Sequence, residues 1–245
     1  MLIGTANVDE LAARAAVVES FDAEAAGCEQ AEVLQVMYEI AAPQRAALLP
    51  PALHPTDPPI VTWLLYRCAA SPWGRFAMAQ TRIECRSGLR LRAFLVSAVV
   101  DNAVAAEALS TRWGFASQEG QIELHRYYDS MRAAVVADGR TILDVIVSDP
   151  DPLSAADLQY VANVNLAHTP RGLRLVQVEP RYQVHRVERG RPRVVAFDGA
   201  AWGDTRIEPV YPVSASLAVA DLTIPRIRFV CRSDVLAFDG TEAVR

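Results

Sequence analysis

The sequence predicts an α+β fold in which a mainly antiparallel β-sheet dominates and a few helices flank it. From residue 59 onward, runs rich in branched and aromatic residues alternate with turn-forming stretches such as SPWG, RSG and DGR. Few segments have the apolar spacing of a helix. So many short strands favour a closed or nearly closed sheet, which leaves no exposed edges and can hold a ligand cavity. The chain has no long polar linker, so we expect one domain over residues 1–245.

The N-terminal region begins with helical signals. Residues 8–20 have helical spacing behind Asn7, and Glu10 follows three positions later in a capping arrangement. We therefore expect a variable, helical N-terminal segment over residues 1–35. Pro43 begins the stretch PQRAALLPP, which predicts a short helix that the following prolines end.

Strands and an alanine-rich helix follow. The runs IVTWLLYRC, RFAMAQTRIEC and LRLRAFLVSAVV predict three strands. Asp101 is expected to cap the helix in DNAVAAEALSTRW, and Gly114 to end it. Strands resume with GQIELHRYY, MRAAVVADG and RTILDVIVS, and Ser154 with Asp157 indicates a second helix that ends at Tyr160. The remainder consists of strands and turns.

Composition excludes several classes of function. All 24 Lys+Arg residues are arginine, so the α-amino group of Met1 is the sole amine that could form an imine with a carbonyl. The net charge of -5 gives no electrostatic reason to expect nucleic acid or an anionic membrane as a partner. The cysteines and histidines lack metal-binding spacing, which predicts reduced thiols and no metal. With no signal-peptide pattern and no run long enough to span a membrane, we expect a cytoplasmic protein.

Several short motifs occur in a fixed order along the chain. They are LPP at residues 49–51, SPWG at 71–74, VDN at 100–102 and WGFASQ at 113–118, with looser matches at 201–203 and 222–225. Their combination resembles the acetoacetate decarboxylase superfamily. The resemblance implies an acetoacetate decarboxylase-like closed β-barrel or cone with a few flanking helices, and it implies a homo-oligomer.

The departures from that family carry the functional information. Its decarboxylases use a lysine pair, in which one lysine forms an imine and the charge of its neighbour lowers its pKa. Ser117 and Gln118 occupy those two positions, and Ala116 replaces a preceding proline. Met78 stands where the family has a carboxylate, and Trp63 stands near another acidic position. The resemblance therefore implies a retained fold whose imine-forming site has become apolar and aromatic.

The candidate catalytic residues are Ser117, Gln118, Glu119 and His125. Ser117 is a hydrogen-bond donor or, beside a positioned base, a nucleophile. Glu119 is an acid or base if it is buried and a solvated carboxylate if it is not. His125 shares a strand face with Glu123 and Tyr127, which form an acid–base group if that face is interior and surface pairs if it is exterior.

The candidate substrate-binding residues are Trp63, Tyr66, Arg75, Met78, Trp113, Phe115 and Ala116. For the aromatic residues and the methionine, the alternative is a place in the ordinary core. For Arg75, the choice is between binding a substrate carboxylate or enolate and simple exposure. Two groups of arginines, at 82, 86, 90 and 92 and at 181, 186, 189, 191 and 193, indicate solvated strand faces or subunit contacts.

Two functional hypotheses follow. In the first, the protein is a cofactor-independent, non-decarboxylating enzyme of specialised metabolism that cyclises, dehydrates or isomerises a polyketide-like carbonyl intermediate in an apolar cavity. In the second, it is a catalytically inactive ligand-binding or scaffold protein of the same fold. An ionisable group with a perturbed pKa beside an apolar wall favours the enzyme. Decarboxylation through the Met1 amine is a third route.

Overall fold

The computed structural model describes residues 2–244. Its helices are α1 (Val8–Ala12), α2 (Ala103–Trp113) and α3 (Ala237–Gly240), with 3₁₀ turns at Ala42–Gln44 and Ala155–Asp157. Its strands are β1 (Ala16–Val17), β2 (Ala26–Ile40), β3 (His54–Pro55), β4 (Ile60–Cys68), β5 (Phe76–Ser87), β6 (Arg90–Val100), β7 (Ser117–Glu119), β8 (Gln121–Arg126), β9 (Ser130–Ala137), β10 (Arg140–Pro152), β11 (Asn163–Thr169), β12 (Gly172–Val178), β13 (Arg181–Phe197), β14 (Pro209–Ile224), β15 (Phe229–Arg232) and β16 (Thr241–Ala243). The predicted mainly β fold with few helices is confirmed. Within residues 2–244, no helix is long and apolar enough to cross a bilayer.

The strands join in one sheet. The hydrogen-bonded order is β16-β15-β12-β11-β6-β5-β4-β2-β14-β13-β10-β9-β8. Most neighbours are antiparallel, whereas β11 and β7 both run parallel to β6. Strand β7 leads through Gly120 into β8, the far end of the order, and the Gly120 N–H donates to the Val100 carbonyl at 3.3 Å. The pairings themselves form an open path, so closure into a barrel stays a prediction.

The central strands of this sheet are buried on both faces. On β4, Trp63 and Leu65 point into one apolar core, and Leu64 and Tyr66 point into a second core on the opposite face. The first core includes residues from β8, β9 and β10, and the second includes α2 and β12. Burial on both faces explains why β4 reads as a continuous apolar run instead of an alternating one.

The N-terminal expectation was wrong in extent. Asn7 caps α1 as predicted, because its side chain accepts from the Asp9 N–H at 2.9 Å, but the helix covers Val8–Ala12 alone. Of the residues expected to be helical, 16–17 form β1 and 26–35 form the first part of β2. This strand pairs with both β14 and β4. Those pairings outweigh the helix propensity of its Ala, Glu, Gln and Leu residues.

The other helix predictions hold in part. Helix α2 ends at Gly114 as predicted, with φ at +73°. Its cap is Asn102, whose side chain accepts from the Ala105 N–H at 3.0 Å, whereas Asp101 accepts from the Ala77 N–H. The helices predicted after Pro43 and Ser154 are single 3₁₀ turns.

Candidate functional site

The chain segment that follows α2 positions Ser117 and Gln118. Gly114 takes a left-handed conformation, and a side chain there would place its Cβ 3.0 Å from the Cβ of Ala167. The tight turn directs the chain back along β6, where the Ala98 N–H donates to the Ala116 carbonyl at 2.9 Å. Ser117 then lies beside Ala98, so both candidate residues sit on a backbone fixed by the sheet.

A cleft of about 390 Å³ opens in front of these two residues. We call it the Ser117 cleft, and it is lined by Arg14, Ala15, Ala16, Val96, Ser97, Ser110, Ala116, Ser117, Gln118, Ala201 and Gly203. The Arg14 guanidinium donates to the Gly203 carbonyl, and the Gln118 amide donates to the Ala201 carbonyl at 3.0 Å. The polar lining therefore offers serine hydroxyls, one amide and one guanidinium. None of these lining residues carries a carboxylate, imidazole, thiol or amine.

Glu119 and His125, the other predicted catalytic residues, lie outside this cleft. Glu119 is exposed, so of its two alternatives the solvated carboxylate is the correct one, and its assignment as a catalytic residue is not supported. His125 is exposed too, and its Nε2 lies 3.3 Å from the Glu123 carboxylate. Tyr127 is more than half exposed, which makes this strand face exterior. His125 instead lines a smaller cleft of about 170 Å³, together with Arg75.

The predicted substrate-binding residues do not line a single cavity. Trp63 is fully buried in the first core, where its ring contacts Tyr38 and Phe197. Met78 is buried in the second core, on the opposite face of the sheet. Tyr66, Trp113 and Phe115 belong to that second core as well, and Ala116 alone of the seven lies in the Ser117 cleft. For the other aromatic residues and Met78, the core interpretation is the correct one.

Sequence reasoning missed a buried polar group on β5. Arg82 is 1% exposed, so the prediction of a solvated arginine is wrong for it, as it is for Arg92. The Arg82 Nη1 donates to the Asn163 Oδ1 at 2.7 Å and to the Val161 carbonyl at 3.0 Å. The Asn163 amide donates in turn to the Gln80 Oε1 at 2.6 Å. The period-two spacing of Gln80 and Arg82 within an apolar strand was the available signal.

Three tyrosines complete this group. The hydroxyls of Tyr66 and Tyr182 lie 2.6 Å apart, and the ring of Tyr160 lies 4.3 Å from that of Tyr182. Burial raises the pKa of all three hydroxyls above the ordinary value, so each remains protonated at neutral pH. Burial also raises the pKa of the Glu84 carboxyl and lowers the pKa of the Arg82 guanidinium. Groups with a perturbed pKa therefore occur in this buried polar group.

Two further expectations concern metal and Met1. Across residues 2–244, no three His, Cys, Asp or Glu side chains are grouped so that they could hold a metal ion. Met1 lies outside the described residues, so the route through its amine stays a hypothesis.

Comparisons with known proteins identify a family and solved structures that are similar to this chain. A model of the acetoacetate decarboxylase (ADC) family matches residues 14–233. The acetoacetate decarboxylase from Legionella pneumophila has a TM-score of 0.74 at 18% identity, over 84% of this chain and 86% of that one. The enduracididine biosynthesis enzyme MppR, complexed with pyruvate, has a TM-score of 0.68 at 19% identity, over 83% and 88%. An acetoacetate decarboxylase-like enzyme from Sphingomonas wittichii RW1 has a TM-score of 0.69 at 17% identity, over 84% and 92%.

A search of curated proteins finds no match to this chain. The solved structures are less than 20% identical to it, and they therefore establish the fold alone. The family model covers most of the chain, including the segment that holds Ser117 and Gln118. The chain therefore belongs to the acetoacetate decarboxylase family.

Proposed function

We propose that this protein is a cofactor-independent enzyme of specialised metabolism that cyclises, dehydrates or isomerises a polyketide-like carbonyl intermediate without a Schiff base. The observation that carries the proposal is the Ser117 cleft. The resemblance to the family implies that its lysine pair corresponds to Ser117 and Gln118, and the lining of this cleft offers hydrogen-bond donors and no amine. Family membership supports an enzyme. As part of the proposal, the sheet closes around an internal cavity and the chain forms a homo-oligomer.

The donors of the cleft suit a carbonyl substrate. Donors aimed at a developing oxyanion are worth about 3 kcal/mol each in acyl-transfer enzymes. Arg14 has guanidinium N–H groups beyond the one that Gly203 accepts, and Ser117 and Gln118 project from the rigid β7. In one relative, MppR, the bound molecule is the condensation product of pyruvate and imidazole 4-carboxaldehyde, which is consistent with carbonyl chemistry in this fold.

The lack of a base in the cleft limits the types of reaction that the cleft can catalyse. Without a carboxylate or imidazole in the lining, a proton must move within the substrate or through water. Holding one folded conformer still accelerates an intramolecular reaction, because orientation alone contributes several kcal/mol, roughly 7–11 in the best cases. This argument favours cyclisation or isomerisation over a dehydration that needs a protein base.

The same lining supports the second candidate, a binding protein that holds a carbonyl compound without turnover. Its expected signature is tight binding with no change in the ligand. The catalytic proposal instead predicts product formation that depends on Gln118 and Arg14.

The experiment that tests the absence of an imine uses purified protein, acetoacetate and sodium borohydride. We expect no carbon dioxide release above the uncatalysed rate and no reduced covalent adduct by mass spectrometry, because the chain contains no lysine. The Ser117→Lys variant is the matched control, since it restores one amine at the family position. Carbon dioxide release by the wild type, with an adduct on the N-terminal amine, would contradict the proposal.

A further inference from the structure

The Arg82 guanidinium is a buried cation without a carboxylate partner. Its Nη1 is satisfied by Asn163 and Val161, but its Nε and Nη2 have no hydrogen-bond partner among residues 2–244. Glu84 lies on the same strand face, yet its carboxyl accepts from the Thr62 hydroxyl at 3.4 Å instead of pairing with Arg82. A buried charge in this condition is costly unless another group compensates it.

Two hydroxyls beside this arginine are also buried. The Tyr160 hydroxyl and the Ser216 Oγ have no hydrogen-bond partner in the described chain apart from each other. Burial raises the pKa of Tyr160, and this contact with Ser216 acts to lower it. Burial lowers the pKa of Arg82, and Tyr66, Tyr182, Glu84 and Tyr160 are all close enough to oppose that shift. We call this set the Arg82 cluster; its members are Tyr66, Gln80, Arg82, Tyr160, Asn163, Tyr182 and Ser216. The unsatisfied N–H groups of Arg82 can only donate, whereas the two hydroxyls can donate or accept, so the cluster can hold an acceptor such as a carboxylate.

Two other arginines in this protein show which group binds to the Nε and Nη2 atoms of a guanidinium. At Arg132, the Nε and Nη2 atoms grip the two oxygens of the Asp144 carboxylate at 3.0 and 2.6 Å. Arg206 grips the Asp204 carboxylate with the same two atoms at 2.8 and 2.5 Å. This side-on, two-donor arrangement matches the geometry of a carboxylate. At Arg82 the same two atoms are buried and have no partner among residues 2–244.

The cover of the cluster is one irregular segment. Residues 153–162 connect β10 and β11 and carry Tyr160 and Val161. The Val161 carbonyl accepts from Arg82, and the Gln159 carbonyl accepts from Gln35 at 3.3 Å. At the two ends of the segment, the Leu153 N–H donates to the β13 backbone at 3.0 Å and the Ala162 carbonyl accepts from the β6 backbone at 2.9 Å. Most of its other residues are exposed. Because Arg82 is buried, a small molecule can reach it only if part of its surroundings moves, and this segment carries Tyr160.

We propose that the Arg82 cluster binds the carboxylate of a small organic acid, held side-on by Arg82 Nε and Nη2 with Tyr160 and Ser216 donating to it. The site is separate from the Ser117 cleft, since the two share no lining residue. It therefore does not depend on the proposed reaction.

The test is an NMR titration of ¹⁵N-labelled protein with acetate and with pyruvate, and with neutral acetamide as the control ligand. We expect both carboxylates to shift the Arg82 Nε–H resonance and the amides of residues 159–163 saturably, because these groups surround the site. Acetamide should leave them in place. If the resonances do not shift, or shift equally with acetamide, ordered water fills the cluster and the proposal is overturned.

Conservative variants of the cluster test whether the carboxylate binds there. Tyr160→Phe removes one donor and keeps the ring against Tyr182, so the Kd for acetate should rise about ten-fold. Tyr128→Phe, on a fully exposed ring, is the matched control and should leave the Kd unchanged. Arg82→Met should abolish binding, with circular dichroism as the check on folding. If that variant does not fold, Tyr160→Phe and Ser216→Ala decide, and an unchanged Kd in both refutes the site.

Discussion

Three fully buried tryptophans allow a controlled test of polar satisfaction in the two cores. Trp63, Trp113 and Trp202 are all 0% exposed. The Trp113 indole N–H donates to the Pro225 carbonyl at 2.8 Å, and that of Trp202 donates to the Ile142 carbonyl at 3.1 Å. The Trp63 indole N–H has no partner among residues 2–244. Replacing each tryptophan by phenylalanine removes the same atoms from three buried sites with different hydrogen bonding.

The expected difference follows from these contacts. At Trp113 and Trp202 the substitution deletes a hydrogen bond worth about 1 kcal/mol. The Pro225 carbonyl loses the Trp113 donor, whereas the Ile142 carbonyl still accepts from the Asp198 N–H at 3.0 Å. At Trp63 it removes a buried N–H whose desolvation costs roughly 1–3 kcal/mol. The loss of packing is similar at all three sites. We therefore expect Trp63→Phe to be more stable than the other two variants by about 2–4 kcal/mol.

Urea unfolding followed by circular dichroism measures the difference, with the three variants compared at a common slope. If Trp63→Phe is as destabilised as the other two, the reasoning is refuted, because the Trp63 N–H must then have a partner in the folded protein. A bound ligand is one such partner, and that result would restore Trp63 as a substrate-binding residue.

Further tests concern the backbone and the ionisable groups near the two sites. Gly120→Ala would place a methyl carbon 2.5 Å from the Val136 carbonyl oxygen, so it should cost about 1–3 kcal/mol in thermal unfolding. Gly27→Ala, whose new carbon meets nothing nearer than 3.7 Å, should cost less, and equal losses would contradict the account. Burial raises the pKa of Asp204, but hydrogen bonds from Arg206 lower it by more, so the net pKa lies below its ordinary value. Its stabilisation is therefore present above about pH 4 and is lost as the pH falls through the lowered pKa. Urea titrations from pH 5 down to about pH 2 should show a steeper loss for the wild type than for Asp204→Asn, and parallel curves would refute this. In an alkaline spectrophotometric titration, the three tyrosines of the Arg82 cluster should ionise after the exposed ones, because burial raises their pKa; a single step at the ordinary value would be the contrary result.

Local patterns predicted much of the fold. The strand runs around residues 60–100, the alanine-rich helix and its end at Gly114 all follow from short-range signals. Strand β2 did not, because its residues favour a helix in isolation and its strand form depends on pairing with β4 and β14. Such pairing joins segments far apart in sequence, which no local pattern encodes.

The part of the candidate site that short sequence motifs define could be predicted. The family motifs located Ser117 and Gln118, and the structure places both in one cleft. Arg82 was missed because an arginine in a run with Arg86, Arg90 and Arg92 looks like part of a charged strand face. Its burial depends on Tyr160 and on other residues from later in the chain that cover this face of β5. The location of Arg14 in the cleft likewise depends on a tertiary contact with Gly203.

The measurement that tests the central claim most directly is a comparative metabolite profile of the producing organism with this gene intact, deleted, and restored as wild type or as Gln118→Leu. The account predicts that deletion accumulates a precursor with the same mass as the lost product, or heavier by one water. The wild-type gene should reverse the accumulation, and Gln118→Leu should reverse it poorly. A precursor heavier by carbon dioxide would contradict the account by reviving decarboxylation. An unchanged profile would contradict the enzymatic proposal and favour the binding protein.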